Sequence, residues 1–318
     1  MNDVPLVPLD RWLDGSDREG VAGAVDAALR DVGFFLVTGH GIDDRLVHHT
    51  REVFAEFFAQ DRTAKESVRM PRLGMAGWAP MGMEANAYSF GEATPPDMKE
   101  SYRLGAHMLP ERVALRGDNV WPTVPADFRP TVEAYVAAVD ALHLEVLRVC
   151  AAAIGLDDIE FFADRARRND NTLNVNWYAP ISYLGPPAAG QFRIGPHTDF
   201  GSITVLHREP GTAALQVQLA DGTWVDAPVV DGAFTINAGD LLQHWSGGRW
   251  RSAVHRILPP QPDADDTGML SLVYFCEPDP DTLVTPLAGD GEPVLAAEHL
   301  RRKIEAISSQ TLPEPPGT

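Results

Sequence analysis

Residues 195–206 read Gly195-Pro196-His197-Thr198-Asp199-Phe200-Gly201-Ser202-Ile203-Thr204-Val205-Leu206. The second half, Ser202 to Leu206, is a short apolar run rich in β-branched residues, which suits a buried strand. In the first half, His197 and Asp199 stand two apart, so an extended backbone points both side chains to one side. A third donor is at hand in His255, within Ser252-Ala253-Val254-His255-Arg256-Ile257. It lies on a second β-rich run, Trp250 to Leu258, which can carry it across a barrel. Two imidazoles and one carboxylate occupy one face of an octahedral ion and leave three adjacent positions open, the arrangement of non-heme Fe(II) sites. His197, Asp199 and His255 are therefore the expected metal ligands and the catalytic centre. Zinc hydrolysis is a rival, because the same side chains bind zinc.

Outward from that stretch, strands dominate one side and helices the other. From Thr172 to Glu277 the chain alternates short apolar runs with Gly, Pro and Asp, the pattern of a jelly roll. Before it, Ser16-Asp17-Arg18-Glu19 forms a capping-box pattern that opens a helix ending near Gly33. A buried strand, Gly33 to Thr38, follows. A second helix starts at Asp43 or Asp44 and carries Leu46, Val47, Val53, Phe54, Phe57 and Phe58 at helical spacing. Residues 69–125, rich in Gly, Pro and Met, read as loop with short structured pieces. A long helix is expected from Ala126 to Ile154, stopping at Gly155, a favoured residue just past a helix end. A shorter one is expected over Asp158–Arg167 and a last one over Ala296–Ser308. The expected fold is α+β: a double-stranded β-helix (jelly-roll) core with flanking N-terminal and C-terminal helices. Residues 1–125 form its N-terminal region, 126–309 the long helix and catalytic core, and 310–318 a frayed tail, all in one integrated catalytic domain.

The run from Leu173 to Pro278 resembles the 2-oxoglutarate/Fe(II)-dependent dioxygenase superfamily, in particular its isopenicillin N synthase-like branch. The resemblance rests on Asn176-Trp177-Tyr178-Ala179-Pro180, Gly195 to Ser202, Leu215-Gln216-Val217, Asn237-Ala238-Gly239-Asp240-Leu241-Leu242 and Ser252 to Ile257. Val32 to Gly41 and Pro95 to Tyr102 look like the N-terminal region of the same family. The resemblance implies an enzyme that uses Fe(II), 2-oxoglutarate and O2 to hydroxylate, desaturate or cyclise a small organic metabolite. It also implies that Asn176 and Tyr178, two apart on one strand face, contact the cosubstrate together with Ser271.

One departure from the family pattern bears on that cosubstrate. The family's Arg-x-Ser, whose arginine pairs with the distal carboxylate of 2-oxoglutarate, is here Met269-Leu270-Ser271. Losing a charge-assisted contact to a buried carboxylate costs about 1.5–3 kcal/mol. Three readings stand open. Another cation replaces it, with Arg193 the first candidate and Arg251 the second. Alternatively Tyr178, Ser271 and water hold the carboxylate, or the chain is a 2-oxoglutarate-independent Fe(II) oxidase of the isopenicillin N synthase type. A non-catalytic jelly-roll binding module is the rival from another class.

Composition bounds the rest. The chain has 318 residues, 44% hydrophobic and 22% charged, enough apolar material for a full core. Its net charge of −19 argues against a nucleic-acid partner. No apolar run approaches a membrane span, and Met1-Asn2-Asp3-Val4-Pro5 has no secretory pattern. Two cysteines, Cys150 and Cys276, fit a reduced setting, so a cytoplasmic location is expected; a role in specialised metabolism is what the resemblance to the isopenicillin N synthase-like branch implies. Other residues invite plainer readings. His244 and His207 are expected to be structural or to sit outside the ligand shell, and Arg256 to point away from the metal. Asp97-Met98-Lys99-Glu100 reads as an ion-pair segment. Phe200 and Trp245, like Met70, Met75, Met81 and Met83, suit either packing or a pocket wall.

Overall fold

The computed structural model describes residues 3–87, 94–105, 117–168, 170–209, 215–259 and 267–308. Twelve strands build the core: β1 (Leu6–Pro8), β2 (Phe34–Thr38), β3 (Gly77–Ala79), β4 (Glu100–Gly105), β5 (Thr172–Tyr178), β6 (Ile194–His197), β7 (Ile203–Arg208), β8 (Leu215–Gln218), β9 (Trp224–Asp226), β10 (Phe234–Ala238), β11 (His255–Ile257) and β12 (Met269–Cys276). An eight-stranded sheet runs β1-β2-β10-β7-β12-β5-β4-β3, and a four-stranded sheet runs β6-β11-β8-β9. Strands from the first 105 residues thus sit at both edges of the large sheet.

Alternation along the strands of the large sheet makes two layers. On β12, Leu270, Leu272, Tyr274 and Cys276 pack outward into the main apolar core. That core lies against the helix Phe128–Ile154, which buries Val132, Tyr135, Val139, Val146, Leu147 and Cys150. The helices Arg18–Asp31 and Asp44–Phe58 pack on the same long helix. Ser271, Val273 and Phe275 face the interior between the sheets instead, where a second apolar cluster holds Met269, Tyr178, Ile194, Leu206 and Leu215. The fold is the expected α+β jelly roll with helices at both ends of the chain.

Several local expectations shift. The helix after Asp17 is capped by Asp17, whose Oδ1 accepts from the Gly20 amide at 3.0 Å, and not by Ser16. Over Asp158–Arg167 only a short 3-10 turn forms, Ala163–Arg165. Phe161 and Phe162 both pack against Trp245 there, at 5.9 and 5.0 Å between ring centres. Consecutive residues of a regular helix do not share a face, so the shared partner favours the turn. Residues 69–125 hold β3, a three-residue strand, and β4, hidden in the sequence by its charges. Glu100 on β4 accepts from Lys65 at 2.8 Å and from the Trp78 indole at 2.7 Å, so a strand with charged residues still lies inside the sheet, between β5 and β3. The last helix, Ala296–Ser308, stands where expected. The tail at 310–318 lies outside the described residues.

Candidate metal centre

β6 and β11 are antiparallel neighbours, and His197 is paired directly with His255. Their register shifts at Gly195-Pro196, which lets Ile194 and His197 both reach the interior. Asp199 follows in the loop to β7. One donor atom from each of His197, Asp199 and His255 lies within 4.8 Å of the others. Asp199 Oδ1 is 3.9 Å from His197 Nε2 and 3.8 Å from His255 Nε2.

The surrounding bonds decide which atoms are available. His197 Nδ1 lies 2.8 Å from the Gly195 carbonyl and His255 Nδ1 lies 3.1 Å from that of Ala253. Each ring thus carries its proton on Nδ1 and presents a lone pair at Nε2. Asp199 is used the same way. Its Oδ2 accepts from Thr204 Oγ1 at 2.5 Å and Asn237 Nδ2 at 2.7 Å, which turns Oδ1 toward the histidines. Burial and the neighbouring His255 hold the His197 pKa down to about 4, so the imidazole is neutral. Burial pushes the Asp199 carboxyl up, but His255, His197 and its two hydrogen-bond donors outweigh that and keep it below its usual range. Two imidazoles aimed through Nε2 and a carboxylate aimed through Oδ1 fit an octahedral divalent metal.

Thr204 and Asn237 were not assigned roles by sequence reasoning, although Asn237 lies in a motif that carries the family resemblance. Asn237→Ala should weaken Fe(II) affinity about 10–100-fold, the usual effect of losing an outer-shell contact. A titration of iron into the apoprotein checks it, and unchanged affinity would refute the role.

Beside the triad is a chamber walled by Asn176, Tyr178, Leu206, Asn237, Ser271 and Val273, among others. Ser271 pairs with Asn176 and Met269 with Tyr178 across β12 and β5. Asn176 Nδ2 donates to Ser271 Oγ at 3.3 Å, and the Tyr178 hydroxyl is 3.3 Å from the same oxygen. The three side chains named from the sequence therefore meet. Burial raises the Tyr178 pKa, so its hydroxyl stays protonated. Met269 is buried in the apolar cluster. Arg193 is fully buried, its guanidinium 5.5 Å from the Tyr178 ring centre and donating to the Ala179 carbonyl at 3.1 Å. It braces Tyr178. Arg251 instead donates to the carbonyls of Asp31 and Gln218, away from the chamber.

A second cavity opens from His197, Thr198 and Asp199 toward Leu73, Leu300 and Ile304. Its walls are mixed: Glu84, Asn86, Arg103 and Glu277 beside Phe200 and Phe275. The Asp97–Glu100 segment is an ion-pair segment, as expected, but it also builds this site. Lys99 pairs with Glu84, and both line the first chamber. Asp97 accepts from Asn86 and from the Gly195 amide, tying the segment to β6. The plainer readings hold elsewhere. His244 bonds to the Glu292 carbonyl, His207 contacts Arg51, and Arg256 stacks 3.9 Å from the Trp224 ring. Trp245 packs in the core, Phe200 lines the cavity, and Met70 is buried.

Residues 171–278 match the 2OG-Fe(II) oxygenase superfamily, and residues 4–124 match the N-terminal region described as non-haem dioxygenase in morphine synthesis. The chain is 35% identical to validamycin A dioxygenase of Streptomyces hygroscopicus subsp. limoneus over 291 residues, 90% of this chain and 80% of that one. It is 30% identical to a homoarginine-6-hydroxylase of Glycine max over 303 residues, 90% of this chain and 88% of the relative. Among solved structures, a full-length Neurospora crassa protein in complex with alpha-KG and thymine superposes with a TM-score of 0.83 at 27% identity, covering 95% of this chain and 96% of that one. The chain belongs to the 2OG-Fe(II) oxygenase superfamily and is an Fe(II)/2-oxoglutarate-dependent dioxygenase, using Fe(II), 2-oxoglutarate and O2.

Proposed function

We propose that His197 Nε2, His255 Nε2 and Asp199 Oδ1 hold the Fe(II), and that 2-oxoglutarate lies along Asn176, Tyr178 and Ser271. The observation that carries this is the convergence of three donor atoms whose other polar atoms are each tied back to the protein. The bound metal supplies the redox chemistry that couples cosubstrate decarboxylation to oxidation of a substrate C–H bond. The chain's own residues fix the ligand atoms, keep the chamber enclosed and orient both organic molecules. The substrate occupies the second cavity and is a small metabolite with polar groups to meet Asn86, Arg103 and Glu277. Residues 1–125 and 126–309 work as one catalytic domain, a reading supported by β3 and β4 extending the sheet that carries Tyr178. A cytoplasmic location and a role in specialised metabolism belong to the same reading. Both free cysteines are buried, and one relative is a validamycin A dioxygenase.

The test is anaerobic reconstitution with Fe(II), with and without 2-oxoglutarate. A metal-to-ligand charge-transfer band is expected on adding the cosubstrate. Iron uptake without that band would refute the cosubstrate placement.

A further inference from the structure

The methionine at position 269 removes a cation from β12, and the large sheet supplies another one strand away. In the β7–β12 pairing, Arg208 stands directly opposite Ser271. Directly opposed residues of an antiparallel pair project from the same face of the sheet, and Ser271 faces the chamber. The row on β7 agrees. Thr204 and Leu206 line the chamber, and Arg208 is the next residue on that face. A third strand agrees as well: Arg208 Nη2 lies 3.3 Å from Thr235 Oγ1, and Thr235 shares its face of β10 with Asn237, another chamber wall.

Arg208 is buried, at 8% exposure. Its guanidinium donates only to neutral oxygens, those of Ala227, Pro228 and Thr235. Its Nε is buried without a hydrogen-bond partner. No carboxylate lies within ion-pair distance of it among the described residues, whereas Arg51, a buried neighbour, pairs with Glu209. A buried cation without a counter-charge is costly, and an anionic ligand removes that cost. Burial lowers its pKa to about 10, which still leaves it charged at neutral pH.

The distances suit a five-carbon diacid. Thr204, which touches Asp199, and Arg208 are four residues apart, roughly 13 Å along a strand. A metal-bound 2-oxoglutarate spans about half of that, and an extended arginine side chain reaches the remainder. Arg193 is placed differently. It stands at a bend just before β6, with its guanidinium 5.5 Å from the Tyr178 ring centre and donating to the Ala179 carbonyl.

We infer that Arg208 binds the distal carboxylate of 2-oxoglutarate beside Ser271 and Tyr178, taking the place of the cation absent at Met269. This rests on the metal and cosubstrate placement proposed above. The probes are 2-oxoglutarate and 2-oxopentanoate, which has the same chelating end and no distal carboxylate, each titrated anaerobically into the Fe(II) protein and followed by the charge-transfer band. The wild-type protein should prefer 2-oxoglutarate strongly. Arg208→Met should weaken 2-oxoglutarate at least tenfold while leaving 2-oxopentanoate and iron binding nearly unchanged. Adding Met269→Arg to Arg208→Met should recover part of the preference. Should Arg208→Met fail to fold, the same ratio is read on Arg208→Gln. An unchanged ratio overturns the assignment, and a ratio that collapses only in Arg193→Met transfers the role to Arg193. A wild-type protein with no 2-oxoglutarate band overturns the cosubstrate reading and this assignment with it.

Discussion

His255→Ala is expected to give a folded protein that binds little Fe(II) and loses turnover by more than the roughly 10–100-fold typical of outer-shell changes. Two ligands remain, His197 and Asp199, and they cannot define a face of the coordination sphere by themselves. The fold should survive because His255 holds its strand through the backbone. β11 is laddered to β6 on one side and β8 on the other, and both ladders are independent of the imidazole. The side chain's packing is modest, an edge contact to Phe34 at 5.2 Å between ring centres and the neighbouring His197 ring. Metal analysis and turnover on the purified variant check the prediction. Full iron content with full turnover would remove His255 from the centre. His244→Ala is the control: its imidazole bonds to the Glu292 carbonyl and is not one of the three converging donors, so iron content should not change.

The metal ligands were legible because they are local. His197 and Asp199 share a strand-like stretch, and His255 lies in a motif of its own, so spacing and residue type sufficed. The faces of β5 and β12 were legible for the same reason, and Asn176, Tyr178 and Ser271 meet as the two-residue period requires. Arg208 was not legible, because its role depends on which strand lies beside β12. Sequence places β12 after β11, yet in the sheet its neighbours are β5 and β7. Arg193, close to the histidine motif in sequence, is the cation that local spacing can reach, and it is buried beside Tyr178. β4 was hidden for another reason. Glu100 and Arg103 make it look like a solvated loop, and only their partners Lys65, Trp78, Glu84 and Asn174 allow it to lie within the sheet between β5 and β3.

Lys99→Met should destabilise the protein by about 3–5 kcal/mol at neutral pH, the usual effect of stripping one partner from a buried ion pair. Lys99 and Glu84 are both buried, and the ammonium bonds directly to Glu84 Oε2. Ser101 Oγ at 3.0 Å and Arg103 at 3.7 Å support the carboxylate but do not replace the lost charge. The pH dependence gives the sharper test. In the wild-type protein burial pushes Glu84 up, yet Lys99 and Arg103 dominate and bring its pKa down from 4.5 to about 2. Its contribution to stability is therefore present above the ordinary carboxylate range and is lost as pH falls toward 2. Without Lys99 the burial term prevails, and the sign reverses: a Glu84 that prefers its proton is least costly in acid and most costly at neutral pH. Asp97 adds in the same direction. Burial already raises its pKa to about 6 against the pull of Lys99, so its contribution is present below the ordinary aspartate value and is lost as pH rises through 6. Removing Lys99 deepens that loss. Chemical denaturation of both proteins between pH 4 and 8 should show a gap that widens with pH, and Glu84→Gln added to Lys99→Met should close much of it. A gap that stays constant across that range would mean Lys99 acts through packing alone, and the charge pair at the edge of the chamber would have to be abandoned as the reason this segment is ordered.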